Sequence, residues 1–425
     1  MKKCRWIAIV LMCSMLTACG IGSRRLVPPD INPTEQGTGE TNPIDVEPLE
    51  VADENAVWEF SHRMFLESLN DTNPVLSPMS AYLALGMVGL GAKEDTLAEF
   101  ELAMGPHFKT TAAELMQSIP SWMTAKEDAD ILPLNVANSV WVDDTMNPEE
   151  AWLQEVNDLF AAEVYQGVLS SEAIKRDINE WVEKKTNSLI KEFLSEPFDI
   201  ETKLALLNAI YFKGDWVNEF EKNSTYKEDF TTTDKGIKKV DMMHDYGRNE
   251  FYVKNDKLDG VVMDYRNGSM AMMVLKPTAG QTVREMYESL THEEFHALLD
   301  NGTVQNIKLK IPKFEVEFDK KINETLQNMG LRLAFDDTKA DFTGIGYTEN
   351  GLPLYISLVR QKAVVKLDEE GTEAAAVTMV VMNECTSAMP VEQPIEVFFD
   401  EPFLYMIMDK ESRTPLFIGV MDDPS

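Results

Sequence analysis

The sequence predicts an α+β protein with one large β-sheet. Two observations carry this. After Asp53 apolar residues recur at helical spacing, and beyond about residue 200 they gather into continuous runs of strand length. Helices followed by many strands is the order of an α+β chain. Nearly unbroken apolar strands belong in a sheet covered on both faces. No second linker breaks the roughly 370 residues after Asp53, so 53–425 reads as one domain.

The chain opens with a basic start (Lys2, Lys3, Arg5) and an apolar run from Trp6 to about Leu16. That run suits a secretory signal and is short for a bilayer span. It ends in Leu16-Thr17-Ala18-Cys19, which looks like a bacterial lipobox. The resemblance implies removal of residues 1–18 and acylation of Cys19, giving a membrane-anchored lipoprotein of the cell envelope, periplasmic or surface-exposed. Residues 19–52 hold Pro28, Pro29, Pro33, Pro43 and Pro48 among Gly, Thr and Glu, with no apolar period. Such a segment cannot bury enough surface to offset its ordering entropy, so it reads as a disordered tether. At this length it reaches roughly 30 Å.

The first helix of the body carries Val57, Phe60, Met64 and Leu66 on one face. A second follows Ser77-Pro78-Met79-Ser80 and is apolar nearly all round (Tyr82, Leu83, Leu85, Met87, Val88, Leu90), which places it in a core. Strands are expected at 204–212, 261–264, 270–275, 307–311 and 354–367.

Composition narrows the function. The whole chain has 39 Lys and Arg against 72 Asp and Glu, a net charge of −33. Without residues 1–18, which hold three bases and no acid, the balance is 36 against 72, or −36. So acidic a surface disfavours nucleic acid and heparin-like polyanions. Of four cysteines, Cys4 and Cys13 leave with the signal and Cys19 is the lipidation site, so Cys385 remains as a lone thiol. His292-Glu293-Glu294-Phe295-His296 fits the zinc-protease pattern H-E-x-x-H, whose two imidazoles share a helix face. However, Thr291 reads as an N-cap that puts His292 in an exposed first turn, Glu294 places a charge on the helix, and no third ligand follows at a familiar spacing. It reads as a surface helix. No enzyme motif, metal or cofactor is assigned.

The informative stretch is Asp368-Glu369-Glu370-Gly371-Thr372-Glu373-Ala374-Ala375-Ala376-Val377-Thr378, after a strand-like 362–367. Here the chain resembles the serpins, the serine protease inhibitors. Glu369, Glu370, Gly371, Thr372, Glu373, Ala374, Ala375 and Ala376 match the family's hinge, where its reactive-centre loop begins. Further matches follow the family's order: Asn73–Ser80, Leu207–Trp216, Ile311–Phe314, Ala340–Gly344, Phe399–Phe403 and Pro415–Gly419. The resemblance covers about 53–423, with the loop at about 369–398. It implies that a target protease cleaves the loop and is trapped while the loop enters the main sheet as a new strand. It also implies the serpin fold, with helices packed on a large main β-sheet, smaller sheets beside it and an exposed reactive-centre loop, and it implies a monomer and no catalytic residues.

Single residues carry over in the same way. Lys313 and Glu369 match the family's charge pair at the top of the sheet, and Trp216 its covering tryptophan. Ser77, Ser80 and Asn208 match the polar cluster under the opening seam. The family's usual histidine there is Gln361 in this chain, an amide that cannot titrate near neutrality, which argues against pH control through that cluster.

Along an inserted strand, Thr372, Ala374, Ala376, Thr378, Val380 and Met382 face one way and carry no charge, and no Pro or Gly interrupts 372–382. Seventeen residues counted from Glu369 place the scissile bond at Cys385–Thr386 by the family's spacing, with Met382 and Met389 as alternatives because the loop is long. No Lys or Arg lies between Gly371 and Pro402, which excludes trypsin-like targets and leaves elastase-like, subtilisin-like or papain-like proteases. Cys385 reads as a small recognition residue. An oxidation switch or an intermolecular disulfide is weighed against this, with Glu384 disfavouring the thiolate.

Overall fold

The computed structural model describes residues 22–26, 53–122, 134–266, 268–278, 280–348, 351, 354–372 and 393–424. Helices α1 (Glu54–Leu66), α2 (Pro78–Gly89), α3 (Glu94–Met104), α4 (Phe108–Trp122) and α5 (Glu150–Phe160) form one layer. Helix α6 (Glu172–Lys185) lies apart, and α7 (Val283–Glu288), α8 (His292–Asn301) and α9 (Asn323–Asn328) are short. Helix α2 is buried along its whole length, as its apolar circumference predicts. Ser77 caps it by accepting from the Ser80 N–H, and Pro78 fills the first turn, where a missing N–H costs nothing.

The main sheet runs in the order β1 (Arg24–Arg25), β5 (Glu163–Gly167), β3 (Leu134–Asp143), β6 (Leu204–Phe212), β15 (Leu358–Leu367), β16 (Gly371–Thr372) and β7 (Gly214–Asp215), with β13 (Phe314–Lys321) on the other edge of β15. A second sheet is no smaller by strand count. It comprises β17 (Ile395–Phe398), β12 (Thr303–Pro312), β9 (Ile237–Lys254), β10 (Leu258–Asp264), β11 (Met270–Pro277), β18 (Phe403–Asp409), β19 (Pro415–Met421) and β2 (Val75–Leu76), with β8 (Thr225–Thr231) on β9. Strands β4 (Met146–Pro148) and β14 (Gly346–Thr348) pair separately.

Three features depart from the sequence reading. Strands β3 and β5 interrupt the helical half. The apolar run of β3 is broken by Asn138, Ser139 and Asp143, yet all three are buried. Ser139 accepts the Trp141 indole N–H at 2.9 Å, and Asp143 pairs with Lys203 at 2.8 Å. The strand expected from Leu354 starts at Leu358. Leu354 and Ile356 are buried, but the Ile356 N–H goes to the Ala334 carbonyl instead of the sheet. The third departure corrects the tether. Residues 22–26 are docked on the body, with Arg24 and Arg25 as an edge strand on β5.

One large core joins the helical layer to both sheets, and a smaller one lies on the other face of the main sheet. The smaller core packs Ile174, Ile178, Trp181 and Val182 of α6 with Phe193 and Leu194 onto β3, β6 and β15.

Candidate functional site

The site is a seam in the main sheet and the polar groups at its two ends. Strand β6 is fully laddered to β3 on one side, from Leu134↔Phe212 to Val142↔Leu204. On the other side it meets β15 in parallel at Leu358↔Ala205 and Val359↔Leu206 alone among the described residues. Above that point the facing edges of β6 and β15 carry no ladder to each other. The gap is closed at its top by the hinge: Thr372 pairs with Leu367 of β15 and with Gly214 of β7, antiparallel to both.

The hinge is a tight turn. Asp368 accepts from the Glu370 and Gly371 N–H groups at 3.0 and 3.3 Å, and its own N–H goes to the Gly371 carbonyl at 2.9 Å. Gly371 is required by close approach, since a Cβ there would lie 2.0 Å from the Gly214 carbonyl oxygen. Thr372 is buried, and its hydroxyl bonds the Tyr265 hydroxyl at 2.7 Å. Burial pushes the Tyr265 phenol far up, so it stays neutral.

Trp216 locks this turn from the side. It is fully buried and stacked on Tyr265 at 4.5 Å. Its indole N–H donates to the Asp368 carbonyl at 3.1 Å and its backbone N–H to that of Glu370 at 2.8 Å. Lys313 reaches Glu369 at 2.6 Å, and Lys222 pairs with Glu370. Burial alone would raise the Glu369 carboxyl, but the Lys313 ammonium and further hydrogen bonds outweigh it and hold the group below its usual range. Lys313 and Glu369 are thus paired, and Trp216 lies against the turn.

At the middle of the seam the amide of Gln361 grips one residue twice. Its Oε1 accepts the Ser77 N–H at 2.9 Å, and its Nε2 donates to the Ser77 carbonyl at 2.8 Å, with the Ser80 hydroxyl at 3.5 Å. The start of α2 is thus tied to β15 by a group that offers donor and acceptor together at any ordinary pH. Asn208 stands on β6 opposite Asn138 of β3.

Several predicted residues are not in view. Cys19, the hinge residues Glu373, Ala374, Ala375 and Ala376, and the reactive-bond candidates Met382, Cys385, Thr386 and Met389 lie outside the described residues. His292 and His296 do share a face of α8, with rings 4.3 Å apart. Thr291 caps this helix as predicted, and Glu294 closes a capping box with it and pairs with Lys257 at 2.7 Å. The Arg413 guanidinium sits 3.0 Å from His296 Nδ1, a fixed cation that opposes a dication there.

Tyr265, Gly214, Asp368 and Lys222 complete the site without having been singled out in the sequence. Asp368 carried a signal, an acid three residues before a glycine, which is the composition of a side-chain-capped turn. Tyr265 carried none, because its partner Thr372 is 107 positions away.

A family model described as Serpin (serine protease inhibitor) matches residues 55–424. Alpha-1-antitrypsin of Meriones unguiculatus is 31% identical over 370 residues, covering 86% of this chain and 87% of that protein. An uncharacterized serpin-like protein of Thermococcus kodakarensis is 31% identical over 377 residues, covering 87% and 85%. The thermophilic serpin tengpin in its native state superposes with a TM-score of 0.80 at 30% identity, covering 90% of this chain and 97% of tengpin. The hinge seated at the head of an unpaired seam and the match across nearly the whole body lead to one conclusion: the chain belongs to the serpin family, whose members are generally protease inhibitors.

Proposed function

We propose that the protein is an inhibitory serpin that traps its target as an acyl-enzyme while the cleaved loop enters the seam between β6 and β15. The observation that carries this reading is the seam itself, unladdered above Val359 and already occupied at its head by Thr372. Carried on in the register of Thr372, antiparallel to both neighbours, an inserted strand brings Val381 opposite Leu358 and Met382 opposite Leu204, at the foot of the gap. The breaker-free interval 372–382 thus has the length of the opening. Thr372 points to Tyr265 in the core, which sends Ala374, Ala376, Thr378, Val380 and Met382 to the buried side by alternation.

In the trapping step the protease nucleophile attacks the Cys385 carbonyl, or that of Met382 or Met389. The peptide C–N bond breaks, the new amine of the following residue takes a proton, and an ester or thioester holds the protease to the loop. With no cation in the loop, elastase-like, subtilisin-like or papain-like enzymes fit. The lipobox at Cys19 supports an anchor at the cell envelope, and the acidic surface supports action without a polyanion.

Incubation with elastase, subtilisin and papain tests this reading. A complex stable in SDS is expected with at least one of them. Clean loop cleavage by all three without a complex would sink the inhibitory reading and leave a non-inhibitory surface-binding module. Labelled palmitate should enter the wild type and not Cys19→Ala.

A further inference from the structure

The docked segment Gly22–Leu26 changes what the anchor can do. Ser23 donates its backbone N–H and its hydroxyl to the same Asp177 oxygen of α6, each at 2.7 Å. Gly22 lies so close to Asp177 that a Cβ would meet its Oδ2 at 2.8 Å. Arg24 and Arg25 pair with Gln166 and Tyr165 of β5, the Leu26 N–H reaches the Val164 carbonyl at 2.8 Å, and the Leu26 side chain packs on the main core. Arg24 also donates to the Gln166 side chain at 3.2 Å. The strap therefore grips both the sheet edge and the helix that crosses its face.

Its position along the sheet follows from register. Gln166 lies level with Val142 of β3, and Val142 with Leu204 at the lower end of β6. The hinge lies level with Gly214, ten positions further up the chain of β6 and β7, or about 33 Å at strand rise. The strap runs antiparallel to β5, so Gly22 is at its lower end. Cys19 precedes Gly22 by three residues, which span at most about 11 Å. Leu26 and Asp53, which caps α1, are both held on the body, so the residues between them add nothing to the reach of the anchor.

We propose that the strap sets the body directly on the membrane by the lower pole of its main sheet, with the hinge and reactive-centre loop turned away from the lipid. This rests on the lipidation of Cys19 proposed above. Arg24 is exposed on the strap and can meet anionic headgroups, whereas Arg25 lies 4.0 Å from Glu163 and Asp144 is exposed at the same pole, so the short reach of Cys19 carries the orientation. Undocking the strap would free the whole 20–52 segment and let the body swing to roughly 30 Å.

The test uses the full lipidated chain in vesicles of phosphatidylethanolamine and phosphatidylglycerol carrying an acceptor dye on the headgroups. In a Cys385→Ser background, a donor dye is placed at Asp144→Cys, exposed at the lower pole, or at Val217→Cys, exposed beside the hinge. Energy transfer is expected to be several-fold more efficient from the Asp144 site. Ser23→Pro with Leu26→Pro removes the N–H bonds to Asp177 and to Val164 and should bring the two sites towards equal, low transfer. Equal transfer in the intact strap, with the protein floating with the vesicles, overturns the proposal alone. Failure to float, with no acyl mass on Cys19, overturns the anchor reading and this inference with it.

Discussion

Strand β15 has two edges, and they are built differently. Towards β13 the ladder is complete, from Phe314↔Leu367 to Lys321↔Arg360. Towards β6 it holds two register pairs among the described residues, and above them the edges face each other unladdered. Backbone groups left unpaired in a sheet are a template for another strand. Most proteins cover such an edge. Here it is kept in the middle of the sheet and held by side chains: Gln361 beneath, Trp216 and the pair of Lys313 and Glu369 at the top, and the α6 core across the front, where Ala205 and Leu207 of β6 meet Leu358 and Val364 of β15. The difference teaches that one edge of β15 is left open to a further strand and is guarded by few contacts.

The largest effect should come from filling the open edge. Nicking the reactive-centre loop with a protease is expected to raise the melting temperature sharply, read by calorimetry on intact and cleaved protein. An unchanged value would mean that the two edges differ without consequence. Next, Trp216→Ala removes a fully buried stack on Tyr265 and should cost about 3–5 kcal/mol in urea unfolding. The same substitution at an exposed tryptophan would be nearly silent, so a small loss would deny Trp216 its part in closing the seam.

Gln361→Ala should cost about 1–3 kcal/mol, because it strips the Ser77 N–H and carbonyl of their partner in a buried setting. Gln361→His sharpens the point through pH. A neutral imidazole can accept the Ser77 N–H and an imidazolium cannot, so its folded-state pKa falls below the usual value of about 6.5. Stability of that variant is present above 6.5 and lost as pH falls through the lowered value. Thermal melts from pH 8 to 5 should show the loss in Gln361→His and not in the wild type.

The smallest effect is expected at the hinge pair. Lys313→Met should cost about 1–2 kcal/mol, modest because Lys313 is partly exposed. Glu369 is held below the ordinary carboxylate value of 4.5, so its contribution is complete above that value and lost as pH falls through the lowered one. Acid melts should therefore show a shallower pH dependence in Lys313→Met than in the wild type. Equal slopes would assign the shift of Glu369 to other partners.

Legibility followed distance along the chain. The hinge motif, the buried helix α2 with its Ser77 cap and the capping of α8 by Thr291 are local patterns, and they could be read directly. Strand β3 was obscured because Asn138 and Asp143 look like surface residues until Met116 and Lys203 are brought to them. The strap was misread as tether because its five residues have no period of their own. Their partners on β5 and α6 lie about 140 to 154 positions away.

By itself the sequence determined the fold class, the hinge and the polar residues of the seam, since each is written in a short window of side-chain chemistry. The absence of Lys and Arg between Gly371 and Pro402 was legible in the same way. Tertiary structure alone decided that β6 and β15 part company above Val359, that Gln361 holds Ser77 by a two-way grip, and that Arg24 and Arg25 leave the tether for the sheet edge. Those are facts of pairing between distant strands. A strand's own residues fix which side chains share a face, but only the assembled sheet fixes which edge is left without a neighbour.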